Sequence, residues 1–313
     1  MSGGHDHGHG HGVTEDSDVG KLWIALLLLG GFMVVEVVFD IVAGSLALLS
    51  DAAHMLTDTG AIALSLVALR LARRPAAGAM TFGLKRAEIL SAHANGLTLL
   101  ILAAIILVEA IRRLFSPPEV EGGLVLAVAL AGVVVNIAAT MALARANRQS
   151  LNVEGAFQHV LTDLYAFLGT AIAGAVILLT GFERADPIAS MLVAALMLRS
   201  SYGLLTASGR VFLEAAPKGV DPEEVGRAMV AVPGVVEVHD LHVWEVTSGF
   251  PALSAHVTVA RDLDCHQKRR EVEEVLQDRF GLDHTTLQVD HEPRTLLELE
   301  VADGLADPPP RST

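Results

Sequence analysis

Two short stretches place ionisable side chains inside long apolar runs. Ser50 to Asp58 reads SDAAHMLTD and Gln158 to Asp163 reads QHVLTD, so His54 precedes Asp58, and His159 precedes Asp163, by four residues each. On a helix that spacing stacks the two side chains on one face, one turn apart. A charged side chain at the centre of a bilayer-spanning helix costs about 2.5–3.5 kcal/mol on insertion scales, so something must compensate for these four. Two helices that each present one imidazole and one carboxylate supply four ligands, enough to close a tetrahedral zinc site. The alternative is a pair of buried His–Asp ion pairs that only orient helices, but orientation alone would not require the same spacing twice. Asp51, three residues before His54, reads as a helix N-cap or as support for the ligands.

The elements that must position these residues are membrane helices. The 313 residues are 52% hydrophobic and 19% charged, too apolar for an ordinary soluble chain. About 20 apolar residues cross a bilayer core, and six such stretches are marked near 21–42, 45–71, 85–114, 122–144, 154–180 and 186–207. Turn formers separate them: Gly44, RRPAAG from Arg73, SPPEVEGG from Ser116, ANRQS from Ala146 and GFERADP from Gly181. With the N-terminus inside, the inner segments hold Lys21, Arg70, Arg73, Arg74, Lys85, Arg86, Arg145, Arg148, Arg210 and Lys218, against Arg112, Arg113 and Arg184 outside. The positive-inside bias therefore places both termini in the cytoplasm, as expected for a protein of the cell (inner) membrane.

Residues 1–20 carry the Gly/His alternation GGHDHGHGHG and read as a disordered tail able to hold divalent metal weakly. After Arg210 the pattern turns soluble. A module over 211–300 runs helix, strand, strand, helix, strand, which suggests a ferredoxin-like α+β sheet with helices on one face; 301–313 read as a flexible tail. The formal net charge is −14, and the chain from Val211 onward holds 9 basic and 20 acidic residues. Such a module repels nucleic acid and attracts cations. A single cysteine, Cys265, excludes an intrachain disulfide.

Strand alternation in VVEVHDLHVWEV turns Glu237, His239 and Glu245 one way and Val236, Val238, His242 and Trp244 the other. His256 shares its strand face with Ser254 and Thr258, and Gln288, Asp290 and Glu292 share theirs. His239, His256, Asp290 and Glu292 are thus expected to gather on the uncovered side of the sheet, with an ordinary solvated face as the alternative. His242 reads as a core histidine, His284 as a turn residue, and His291 as facing inward. Within the apolar helices, His93, Asn95, Asn136 and Thr140 read as hydrogen-bond partners between helices, with proton relay a lesser role for His93. Glu36 and Asp40 line an exit path or face the headgroups.

GSLALLSDAAHMLTD, TFGLKRAEILSAHANG, SLNVEGAFQHVLTD, ADPIAS, VHDLHVWEVTSG and LSAHVTV together resemble the cation diffusion facilitators, zinc/proton antiporters of cell and organelle membranes. The resemblance covers nearly the whole chain. It implies a six-helix membrane domain over 21–210, a homodimer, and a cytoplasmic ferredoxin-like metal-sensing domain. It also implies that His54, Asp58, His159 and Asp163 form the transport site for Zn2+, and that His239, His256, Asp290 and Glu292, with His266 bridging, bind regulatory zinc. Some relatives carry a further metal site between helices two and three, but ARRPAAGAMTFG has neither His nor Asp, and none is expected there. The expected function is proton-coupled zinc efflux by alternating access. A membrane metalloenzyme would need an open coordination position, and no H-E-x-x-H occurs. A metal sensor without transport would leave the buried charges without purpose.

Overall fold

The computed structural model describes the backbone of residues 12–43, 46–116, 122–148 and 150–292, and the side chains of 19–35, 38, 59–116, 123, 126–148 and 150–292. The tails 1–11 and 293–313, and the side chains of Glu36, Asp40, Asp51, His54 and Asp58, lie outside the described residues. The chain forms two compact units.

Among the described residues, six long helices build the first: α1 (Gly12–Ala43), α2 (Leu46–Ala72), α3 (Ala87–Phe115), α4 (Gly122–Ala144), α5 (Leu151–Thr180) and α6 (Ala185–Phe212). Among the described residues, α3, Leu126–Ala144 of α4, α5 and α6 are long and apolar enough to cross a membrane, and shorter apolar helical segments span Val19–Val35 and Thr59–Ala72. Helix α1 begins at Gly12, so 12–20, expected as tail, are helical. Helix α5 shows its limits clearly. Ser150 caps it by accepting a bond from the Val153 amide at 3.3 Å, and Gly181 ends it in the left-handed region at φ 71°.

Outward faces are apolar, as lipid demands: Ile101, Val108, Val134 and Leu192 are all exposed. Inward, Leu22, Leu29, Ile62, Leu66, Ala139, Leu143, Val153, Phe157 and Val160 form one core from α1, α2, α4 and α5. A second core joins Leu99 and Ala103 of α3 to Val193, Met197 and Leu204 of α6. Small residues let these helices approach closely, and polar side chains tie them. The Ser201 hydroxyl donates to the Gly96 carbonyl at 2.9 Å, and His93 Nδ1 bonds the Ser208 hydroxyl at 2.9 Å. Asn95 donates to Ser65 Oγ at 3.2 Å and Asn152 to the Ser65 carbonyl at 2.8 Å, so α2, α3 and α5 meet at one serine. His93 and Asn95 are thus partners between helices, as expected.

The second unit holds α7 (Pro222–Val230), most of β1 (Val235–Thr247) and β2 (Phe250–Val259), α8 (Cys265–Phe280) and β3 (His284–His291), with sheet order β1-β2-β3. The α-β-β-α-β order is the expected one. Asp264 caps α8 by accepting from the amides of His266 and Gln267, which hold its carboxyl below the usual range. One boundary differs from expectation. The hairpin tip, Val243–Ala252, groups with the helical unit rather than with the soluble module.

Candidate metal centre

Helix α5 carries the described half of the membrane candidate. His159 is 0% and Asp163 8% exposed, and His159 Nε2 lies 4.0 Å from Asp163 Oδ2 across one turn. That exceeds a hydrogen bond and is about 0.7 Å longer than the edge of about 3.3 Å spanned by two ligands of a tetrahedral zinc with bonds of about 2.0–2.1 Å, a gap that a small side-chain rotation closes. Both side chains sit on one face of a helix read here as membrane-spanning. Positions 54 and 58 fall within α2, one helical turn apart. Four residues beyond position 58, Ile62 packs in the core that α5 shares.

A buried acid that sequence reasoning passed over fixes the start of α5. Glu88 is 7% exposed in the first turn of α3. The hydroxyl of Ser150 donates to its Oε1 at 2.6 Å and that of Thr247 to its Oε2 at 2.9 Å. Beside them, Ser248 Oγ accepts the Leu151 amide at 3.0 Å, satisfying a donor that the first turn of α5 leaves open, and Lys85 lies over the Phe250 ring at 5.3 Å. These bonds explain why the hairpin tip belongs to the helical unit. Thr247→Val removes a charge-assisted hydrogen bond from a buried carboxylate, a loss of about 1.5–3 kcal/mol. Thermal unfolding in detergent should show a larger drop for Thr247→Val than for Ser248→Ala; the reverse order would contradict this role for Glu88.

The sheet holds a second cluster. His239, Asp240 and His256 bring one ligand atom each within 4.8 Å of one another. Asp240 Oδ2 lies 3.3 Å from His239 Nδ1 and 3.8 Å from His256 Nδ1, and the two rings stand edge-to-face at 5.1 Å. Two imidazoles and a carboxylate are a fitting donor set for zinc. Asp240 was not among the expected ligands. Its φ of 49° is left-handed, a rare conformation for a non-glycine residue, and it shifts the strand by one residue. Before it Val238 points inward, and after it Leu241 and Val243 do. The pattern is that of a bulge, which turns both His239 and Asp240 toward the exposed face.

The same shift corrects the expectation for His242, which is exposed rather than in the core. His291 bonds the Leu263 carbonyl at 2.9 Å but is exposed, not inward. Asp290 accepts from Gln288 at 2.8 Å, Glu292 ends the described chain, and His266 sits in the first turn of α8. None of these three joins the cluster among the described residues. Among the described residues, Asn136 and Thr140, expected to bond between helices, make no such bond; Asn136 donates to Gly132 of its own helix at 3.0 Å.

Residues 22–213 match the family model of the cation efflux transmembrane domain, and 217–292 that of the cation efflux protein cytoplasmic domain. The chain belongs to the cation diffusion facilitator family. This cation diffusion facilitator is 40% identical over 295 residues to the zinc transporter ZitB of Shigella flexneri, covering 94% of each chain. It is 36% identical over 294 residues to the cadmium, cobalt and zinc/H(+)-K(+) antiporter of Bacillus subtilis (strain 168), covering 92% of each. It is 40% identical to the metal cation efflux system protein CzcD of Cupriavidus metallidurans, over 94% of this chain and 92% of that one. The facilitator is therefore an integral membrane protein of a cation transporter family, not an enzyme, with a transmembrane and a cytoplasmic domain.

Proposed function

We propose that this protein exports zinc from the cytoplasm in exchange for protons, carrying the ion on His54, Asp58, His159 and Asp163. The observation that carries the reading is the buried His159–Asp163 pair, whose 4.0 Å separation on a membrane helix suits a shared metal ion. The repeat of the same spacing at His54 and Asp58 supplies the other two ligands. Relatives named as a zinc transporter and as a cadmium, cobalt and zinc/H(+)-K(+) antiporter, similar over more than nine-tenths of this chain, support zinc as substrate and the proton as a coupling ion. The chain works as a homodimer in the inner membrane with both termini cytoplasmic, in line with its basic inner loops and its cytoplasmic domain.

Metal flux into proteoliposomes under an imposed pH gradient tests this reading. Zinc uptake should fall as the gradient is collapsed. Uptake indifferent to the gradient would remove the proton coupling, and absence of uptake from an intact, folded preparation would remove the transport function.

The sheet cluster is the regulatory zinc site in this reading, with Asp240 as its carboxylate. Asp240→Ala should weaken metal binding by the cytoplasmic domain roughly tenfold or more while transport persists. Titration of zinc into the full-length protein and its variant, alongside flux, reads both effects. Unchanged zinc affinity would exclude Asp240 from the site.

A further inference from the structure

Helix α4 carries two polar residues that neither core packing nor the four proposed ligands explain. Asn136 is 1% exposed. Its amide nitrogen is engaged by the Gly132 carbonyl, and its Oδ1 has no hydrogen-bond partner among the described residues. Thr140 Oγ1, one turn on, has none either. Burying an acceptor without a donor is costly, so two such oxygens on one helix face point to a polar ligand between them and the neighbouring helix.

The register of α4 against α5 identifies that neighbourhood. Ala129, Gly132, Asn136, Ala139 and Leu143 are all buried and follow helical spacing, so they form one stripe. A Cβ at Gly132 would collide with the Phe167 ring, so α5 lies directly against this point. At the other end of the stripe, Ala139 and Leu143 share a core with Val153, Ala156, Phe157 and Val160. Numbers rise along α4 as they fall along α5, so the helices run antiparallel. One turn from the Gly132–Phe167 contact lie Asn136 and Asp163, and one turn further lie Thr140 and His159. The two unpartnered oxygens come at the level of the proposed ligands on α5.

We propose that Asn136 and Thr140 are specificity-determining residues of the transport site, supplying oxygen donors, directly or through one water, to divalent cations that take more than four ligands. The inference rests on the transport-site reading. Two imidazoles and two carboxylates complete the shell of tetrahedral zinc. A larger ion such as cadmium accepts further oxygens, and an amide carbonyl and a hydroxyl provide them without adding charge. The pair thus widens the range of ions carried, while zinc depends on it little.

Competition of cadmium against zinc in proteoliposomes tests this for wild type, Asn136→Leu, Thr140→Val and Thr140→Ser. Zinc flux should stay within about twofold in all four, while the cadmium/zinc preference falls roughly tenfold in Asn136→Leu and Thr140→Val. Thr140→Ser, which keeps the hydroxyl, should retain the wild-type preference. If Asn136→Leu does not fold, the near-isosteric Thr140→Val carries the test. Equal losses for both metals would indicate a structural role and overturn the proposal, as would an unchanged preference or a wild type that does not carry cadmium. Asp163→Ala in the same vesicles separates the two readings: retained zinc flux there defeats the transport site itself, whereas its loss beside an unchanged cadmium preference defeats only the inference about α4.

Discussion

Asp163→Ala is expected to abolish zinc flux while leaving the protein folded. In the proposed site the substitution removes one of four ligands, and even the loss of an outer-shell partner costs metal sites roughly 10–100-fold. It leaves the frame of α5 untouched, since the helix is capped by Ser150 and held at its start by bonds of Ser150, Leu151 and Asn152, eleven or more residues before Asp163. His54→Ala should do the same from α2. His93→Ala should act more mildly, because His93 ties α3 to α6 through Ser208. Flux measured in vesicles, with monodispersity in detergent as the folding control, reads these effects. Wild-type transport by a folded Asp163→Ala protein would end the assignment of the site.

The second large effect concerns coupling. Zinc with two carboxylates and two neutral imidazoles carries no net charge, and neither does a metal-free site with two carboxylates and two imidazolium ions. Both forms avoid placing net charge in hydrocarbon. Metal ligands must be deprotonated, so at the proposed site zinc arriving from the cytoplasm would expel protons, and protons arriving from outside would expel zinc. Wild-type protein in detergent near neutral pH should therefore release up to about two protons per zinc bound, and His159→Gln about one fewer. Equal release from both proteins would remove His159 from the coupling.

What could be read from the chain, and what could not, divides along the range of the interactions. The His–Asp spacing is a statement about one helical turn, so it is visible in nine or fewer letters, and α5 places His159 and Asp163 accordingly. The order of the soluble module follows from local periodicity and turn residues in the same way. Strand faces failed at one residue. Alternation assumes a regular pleat, and the left-handed Asp240 inserts a single extra position that moves His242 outward and brings Asp240 itself beside His239 and His256. Asp in a strand interior is disfavoured, which was the one available signal. Glu88 was illegible because its partners Ser150 and Thr247 lie 62 and 159 residues away. Asn136 reads as interhelical glue, since a polar residue in a membrane helix commonly is; the packing of Gly132 on Phe167, which sets α5 against the same stripe of α4, is a contact between distant parts of the chain.

The most direct measurement is X-ray absorption at the zinc edge on protein loaded with one zinc per chain. The sample should lack residues 1–12 and carry His239→Ala and His256→Ala, so that neither the histidine tail nor the sheet cluster competes. Four nitrogen or oxygen ligands at about 2.0–2.1 Å, with outer scattering from two imidazoles that drops to one in His159→Gln, is the expected result. Two-imidazole scattering that persists unchanged in His159→Gln would contradict a transport site built from α2 and α5.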